Sequence, residues 1–388
     1  MIDIFDKKDC CGCFACLNIC AHNCIAMEED EEGFLYPLVD TAICTDCKMC
    51  EKVCPNLAES DKREPIVIFA AKNNDDDIRE QSSSGGIFSI FAEQILAEGG
   101  VVFGAKFDKE WEVMHSFSET QEELAEFRGS KYVQSRIGNS YAHAKKFLMQ
   151  GRKVLFSGTP CQIAGLRLFL RKDFENLLTI DFICHGTPSP LVWRRYLDKK
   201  GKETLKELKF RNKKYGWKQF SLSLTKEIDN KSVEYAKTLN EDTFLRGFLR
   251  DLYLRPSCHQ CPVKDLRSGS NITIADFWGI DATYPEQDDD RGYSLVLLND
   301  DKALDNYKHV QTNLFGFEIG YDLVKKFNKA IYVSAIPHKR RGLFFSQLSE
   351  NKDIEQLIEK EIKLSVMSRF EKLTRKCLRK LRSIIFNK

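Results

Sequence analysis

Two stretches, residues 153–170 (KVLFSGTPCQIAGLRLFL) and 177–199 (LLTIDFICHGTPSPLVWRRYLDK), share one order of parts: a short apolar run, a Gly/Pro loop bearing a cysteine, then a helical pattern. The periodicities predict strands over Lys153–Ser157 and Leu177–Ile183, and helices over Gln162–Leu170 and Leu191–Lys199. Repetition of this order points to an α/β layered domain with a mixed or mainly parallel sheet. In such sheets ligands bind beyond the carboxyl ends of the strands. Those ends carry Gly158-Thr159-Pro160-Cys161-Gln162 and Cys184-His185-Gly186.

Working outward, Val101–Phe107, Ile272–Ala275 and Ser294–Leu298 also read as strands. Ile87–Glu98, Gly138–Gln150 and Thr243–Leu254 read as helices, and the polar region 200–240 as strands with mobile connections. Ser82-Ser83-Ser84-Gly85-Gly86 stands directly before the helix at Ile87. Glycines there let backbone N–H groups approach a phosphate, although an ordinary Ser/Gly cap fits equally well. The loop Arg128-Gly129-Ser130-Lys131-Tyr132-Val133-Gln134-Ser135 offers cations and hydroxyls to a phosphate or flavin edge, or is simply solvated. Cys258 and Cys261 form a CxxC pair between Pro256 and Pro262. With Cys161 and Cys184 they make four thiols, enough for an iron–sulfur cubane or a zinc ion.

Ten of the 15 cysteines fall within the first 54 residues. Cys10, Cys13, Cys16 and Cys20 have the spacing C-x2-C-x2-C-x3-C, and Cys44, Cys47, Cys50 and Cys54 repeat it before Pro55. This is the run of the bacterial two-cluster ferredoxins, in which the fourth cysteine of each repeat ligates the other cluster. Crossed ligation assigns Cys10, Cys13, Cys16 and Cys54 to one 4Fe-4S cluster, and Cys44, Cys47, Cys50 and Cys20 to the second. Clusters would also replace the core that so short a segment cannot build from apolar side chains. Ala21 follows Cys20 where proline is usual, and Cys11 and Cys24 are surplus, with packing roles expected. A pair of zinc knuckles is the alternative. The polar stretch 59–65 then bounds a head over 1–60, a body over 65–345 (parts 65–150 and 151–345) and a tail over 346–388.

Of the 388 residues, 59 are Lys or Arg and 57 are Asp or Glu, a balance that argues against a nucleic-acid binder. The charge is unevenly spread. Residues 1–60 carry 4 basic and 12 acidic residues, whereas 363–388 carry 9 basic and 1 acidic. The acidic head suits a basic redox partner. The tail reads as a basic helix with an apolar stripe at Phe370, Leu373, Cys377, Leu381 and Ile384, able to lie on an anionic membrane or to pack on the body. No run is long and apolar enough to span a bilayer, and Met1–Asp9 lacks a signal-peptide pattern, so a cytoplasmic location is expected. Reduced thiols in that compartment favour metal ligation over disulfides.

Taken together, SSSGGIF (82–88), GGVVFGAKF (99–107), RGSKYVQS (128–135), VLFSGTPCQIAGL (154–166), IDFICHGTPSP (180–190) and SCHQCPVKDLRSGSNITIADFWG (257–279) resemble the coenzyme F420 hydrogenase/dehydrogenase beta-subunit family, in its bacterial form with a fused ferredoxin. The resemblance reaches to about residue 300. It implies a flavin-binding α/β body, bound FAD, iron–sulfur clusters, and hydride or electron transfer to a small molecule. Members without a ferredoxin head still hold a cluster, which implies a third 4Fe-4S cluster on Cys161, Cys184, Cys258 and Cys261. The expected FAD residues are Ser83, Ser84, Gly85, Gly86, Ser130, Lys131, Tyr132, Gln134, Ser135, Gly158, Thr159 and Gln162. His185 is the expected proton donor, or else merely holds its loop; Asp276, beside Trp278, is the alternative acid.

The function expected is therefore that of an iron–sulfur flavoprotein reductase fed by a ferredoxin-type donor, with surface-polysaccharide synthesis as one setting that the resemblance implies. The competing expectation is an electron-transfer or docking subunit of a larger complex, including an F420-reducing one, with no substrate pocket of its own. Nothing in the residues identifies a deazaflavin site.

Overall fold

The structure, a computed structural model, describes residues 1–348 and 353–363. The basic helix expected over 363–388, and with it the membrane contact, lies outside the described residues apart from Lys363. In chain order the strands are β1 (Ile25–Glu29), β2 (Leu35–Val39), β3 (Val67–Asn73), β4 (Val101–Phe107), β5 (Val113–Ser118), β6 (Val154–Ser157), β7 (Leu177–Phe182), β8 (Leu205–Asn212), β9 (Ser221–Ile228), β10 (Lys231–Thr238), β11 (Ile272–Asp276), β12 (Ser294–Leu298) and β13 (Leu314–Glu318).

Eight of them form one sheet in the order β13-β3-β12-β11-β7-β6-β4-β5. Its centre, β11, β7, β6 and β4, is parallel, and the flanking pairs are antiparallel. The body is thus α/β with a large mixed sheet. Successive side chains alternate between its faces. Val102, Leu155, Leu178 and Ile180 pack under helices Ile87–Ala97 and Asp301–Val310. Val101, Phe103, Val154, Phe156 and Leu177 pack under Ser140–Met149 and Pro160–Leu170.

The region 200–240, expected as strands with mobile connections, forms a three-stranded antiparallel sheet, β10-β9-β8. Its buried Leu208, Phe210, Leu222 and Leu224 pack with helix Pro190–Lys200. The helix expected over Thr243–Leu254 ends at Phe248, and Leu252, Tyr253 and Leu254 continue into the same core as non-helical chain. Helix Ile354–Ile362 also packs there through Ile354, Leu357, Ile358 and Ile362, so the chain beyond residue 346 begins as part of the body's core.

The head is built from hairpin β1–β2 and the short helices Ala15–Ile19 and Met49–Lys52, and it is joined closely to the body. Phe14 and Val53 belong to the same buried cluster as Phe156 and Leu166. Gly165 lies so near that an added Cβ would sit 3.0 Å from the Cys13 sulfur. Glu32 is clamped by Arg341, and Asn18 Nδ2 donates to the Gly138 carbonyl at 2.8 Å.

Candidate functional site

The carboxyl ends of β6, β7 and β11 open into a cavity of about 650 Å³, a size within the usual range for small-molecule and cofactor sites. Ser83, Ser84, Gly86, Ser130, Lys131, Tyr132, Ser135, Gly158, Thr159, Gln162, His185 and Asp276 all line it. Two of the loops singled out in the sequence touch, because the Ser130 amide donates to Ser83 Oγ at 2.7 Å. Thr159 and Gln162 form a capping box at the start of the helix after β6, which fixes the Gly158–Thr159 turn.

Two of the expected residues lie elsewhere. Gly85 sits beneath the cavity floor, where a Cβ would meet the Ala71 carbonyl at 2.5 Å. Gln134 turns toward the head, donating to the Cys11 carbonyl and accepting from Arg255. The two cations expected to meet phosphate are already engaged. Lys131 Nζ donates to the carbonyls of Glu126, Arg128 and Gly129, and burial holds its ammonium down at about 7. Arg128 binds Ser89 Oγ and Glu93. Asp276 is likewise engaged: Arg211 takes both carboxylate oxygens, at 2.8 and 3.2 Å, and Trp217 Nε1 donates to one of them. Held in this way, Asp276 accepts from both neighbours and orients them.

His115 borders the same cavity and was not legible in the sequence. Its Nε2 faces the Ser157 carbonyl at 3.0 Å and its Nδ1 faces Ser135 Oγ at 2.8 Å. A carbonyl only accepts, so the ring is a neutral Nε2–H tautomer that accepts from Ser135. Burial lowers its pKa to about 4.

On the far side of the loop after β7 is a second, smaller cavity of about 50 Å³, lined by Cys161, Cys184, Cys258 and Cys261. A fifth thiol, Cys11 from the head, joins them. The segment Phe182–Thr187 belongs to the walls of both cavities. Within it His185 Nε2 lies 2.6 Å from Asp251 Oδ1. Burial, with Cys161 nearby, pushes the Cys261 thiol up to about 12. Such thiols keep their protons unless a metal replaces them.

The head contains two further groups. Burial and the adjacent Cys10 and Cys54 push the Cys16 thiol up to about 12. Cys20, Cys44, Cys47 and Cys50 line a separate small cavity with Cys24, whose sulfur is 3.3 Å from that of Cys20. Cys13 also has Cys16 and Cys54 as charged neighbours, so Cys54 lies with the first cysteine run and Cys20 with the second. Among the described residues no group of three His, Cys, Asp or Glu side chains is close enough to hold one ion. The body thiols and those of Cys20, Cys44, Cys47 and Cys50 line cavities instead.

Arg211 and Arg255 escaped the sequence reading because a lone arginine carries no spacing signal. Arg255 had one local cue, a charge that ends the apolar run Leu252-Tyr253-Leu254 just before the CxxC segment.

Comparison with known proteins gives a consistent result. The coenzyme F420-dependent sulfite reductase of Methanocaldococcus jannaschii is 27% identical over 200 residues, which is 50% of this chain and 30% of that protein. The chain therefore spans less than a third of that relative's length. A chain of the F420-reducing NiFe hydrogenase complex from Methanosarcina barkeri superposes with a TM-score of 0.48 at 17% identity, covering 71% of this chain and 92% of that one. Residues 68–140 match the amino-terminal part, and residues 151–315 the carboxy-terminal part, of the family described as coenzyme F420 hydrogenase/dehydrogenase, beta subunit. The chain belongs to the coenzyme F420 hydrogenase/dehydrogenase beta-subunit family.

Proposed function

We propose that this protein is an iron–sulfur flavoprotein oxidoreductase that takes electrons from a ferredoxin-type donor and delivers them to a small-molecule substrate. The observation that carries this reading is the shared wall: one loop, Phe182–Thr187, separates a cavity lined with thiols from a cavity of cofactor size. In the head, Cys10, Cys13, Cys16 and Cys54 would hold one 4Fe-4S cluster and Cys20, Cys44, Cys47 and Cys50 a second. Cys161, Cys184, Cys258 and Cys261 would hold a third, and the large cavity would hold FAD. Bound in these places, the clusters supply one-electron exchange and the flavin its collection into pairs.

The chain's own residues set the conditions. Ser83, Ser130, Gly158 and Thr159, which line the large cavity, would present hydroxyls and backbone to a bound flavin. The Arg211–Asp276 pair holds the Tyr132 hydroxyl, with Arg211 Nη1 donating to it at 3.1 Å. His185, steadied by Asp251, is the group able to carry a proton at the boundary of the two cavities. The acidic head favours a donor with a basic face.

Anaerobic reconstitution tests this directly. About twelve irons per chain, four per cubane, together with one FAD, are expected. Colourless protein containing zinc and no acid-labile sulfide would sink the proposal. Turnover with nicotinamide, deazaflavin and nucleotide-sugar candidates then identifies the substrate class.

A further inference from the structure

Among the described residues, three arginines are buried almost completely: Arg79, Arg211 and Arg255. The first two have carboxylate partners, Asp289 and Asp276. Among the described residues Arg255 has none. Its Nε donates to the Cys10 carbonyl at 2.7 Å, its Nη1 to Gln134 Oε1 at 2.9 Å, and its Nη2 to the Leu35 carbonyl at 3.0 Å and to Cys10 Sγ at 3.5 Å. Its Cζ lies 4.3 Å from the Tyr36 ring centre and 5.3 Å from that of Phe34. A buried guanidinium cannot escape by losing its proton, and without a counter-charge it costs several kcal/mol. Neutral acceptors and two aromatic rings do not supply that counter-charge.

The surroundings indicate what does. The Arg255 guanidinium touches Cys10 on the head side, and on the core side its charge acts on the buried thiols of Cys161 and Cys258, whose amide also donates to the Arg255 carbonyl at 2.9 Å. It stands between the two cysteine groups whose cluster-bound thiolates would carry net negative charge. We propose that Arg255 is the counter-ion shared by the site on Cys10, Cys13, Cys16 and Cys54 and the site on Cys161, Cys184, Cys258 and Cys261, and that its fixed charge makes both easier to reduce. The inference rests on the iron–sulfur reading above. Each electron added makes a site more negative, and a cation at short range in a poorly screened interior favours that state. Arg255 is accordingly a positioning residue that acts through the two sites.

The test is a redox titration followed by electron paramagnetic resonance on the anaerobically reconstituted full chain, with iron, sulfide and flavin counted for each variant. In Arg255→Met two of three centres should shift to lower potential, while the centre on Cys20, Cys44, Cys47 and Cys50 keeps its wild-type value as an internal control. In Arg255→Lys, which keeps the charge but not the fork of hydrogen bonds, both inner centres should stay near wild type. Clusters present with unshifted potentials in Arg255→Met would overturn the inference and leave the iron–sulfur reading intact. Wild-type protein without sulfide would remove that reading itself. If Arg255→Met does not retain iron, Arg255→Lys decides: wild-type potentials support the counter-ion role, and lowered inner potentials refute it.

Discussion

The cysteines of the head and those of the body are brought together by opposite means. In the head, three thiols of each group come from one short loop, and only the crossed fourth comes from a distance. In the body, Cys161 follows β6, Cys184 follows β7, and Cys258 and Cys261 sit on a turn more than seventy residues later. The parallel register of β6 and β7 places the first two, and packing of the 256–260 turn places the others. Local spacing therefore defines the head sites, whereas the body site exists only once the sheet has formed.

That contrast can be broken experimentally. The largest expected effect is on metal content: Cys258→Ser should remove about four of about twelve irons while the head's share persists, measured by iron and sulfide analysis. Equal loss from all three sites would show that head and body load as one unit. Next is the pair at the large cavity. Arg211→Met leaves the partly buried Asp276 without its cation and should cost about 3 kcal/mol in denaturant unfolding. The double variant Arg211→Met/Asp276→Asn should recover part of that loss, a coupling that a purely solvated pair would not show.

A third measurement concerns pH. The folded pKa of His115, about 4, lies below its unfolded value, so the unfolded chain binds the extra proton between about pH 6.5 and 4. Stability from this group is present above pH 6.5 and is lost as pH falls through that window, by at most about 3 kcal/mol. His115→Gln should flatten this slope; an unchanged slope would mean that His115 is not the titrating group. The smallest effect is at the head–body seam. Gly12 has φ of 66°, and a Cβ would lie 2.6 Å from Gln134 Nε2. Gly12→Ala should lower stability by about 1–3 kcal/mol and increase proteolysis of the head before that of the body.

Much of the sheet was legible because apolar alternation is a local property. Val101–Phe107 and Ser294–Leu298 fall where the pattern put them. Strand β3 escaped notice because Val67-Ile68-Phe69-Ala70-Ala71 is a continuous apolar run that fits a buried strand or a helix equally. β8–β10 are polar on one face and pack through Leu208, Leu222 and Leu224, so the region read as strands but without their bounds or pairing. At the large cavity, Ser83, Ser130, Gly158 and Thr159 were legible as loop chemistry beside predicted elements. Lys131, Arg128 and Asp276 were legible as residues but not in their roles, because their carbonyl and side-chain partners come from the folded chain.

The sequence by itself determined the α/β class, the two matched cysteine runs of the head and the loops that end the strands. Each of these depends on spacing within a few residues, and hydrophobic period and thiol spacing carry that information without a fold. Only the tertiary structure decided that Cys161, Cys184, Cys258 and Cys261 share a cavity, that Cys11 joins them, and that Arg255 is buried between the two groups with no carboxylate partner among the described residues. Those facts rest on contacts across hundreds of residues, such as Arg255 to Cys10, where burial and the missing counter-charge become visible only after the chain has packed.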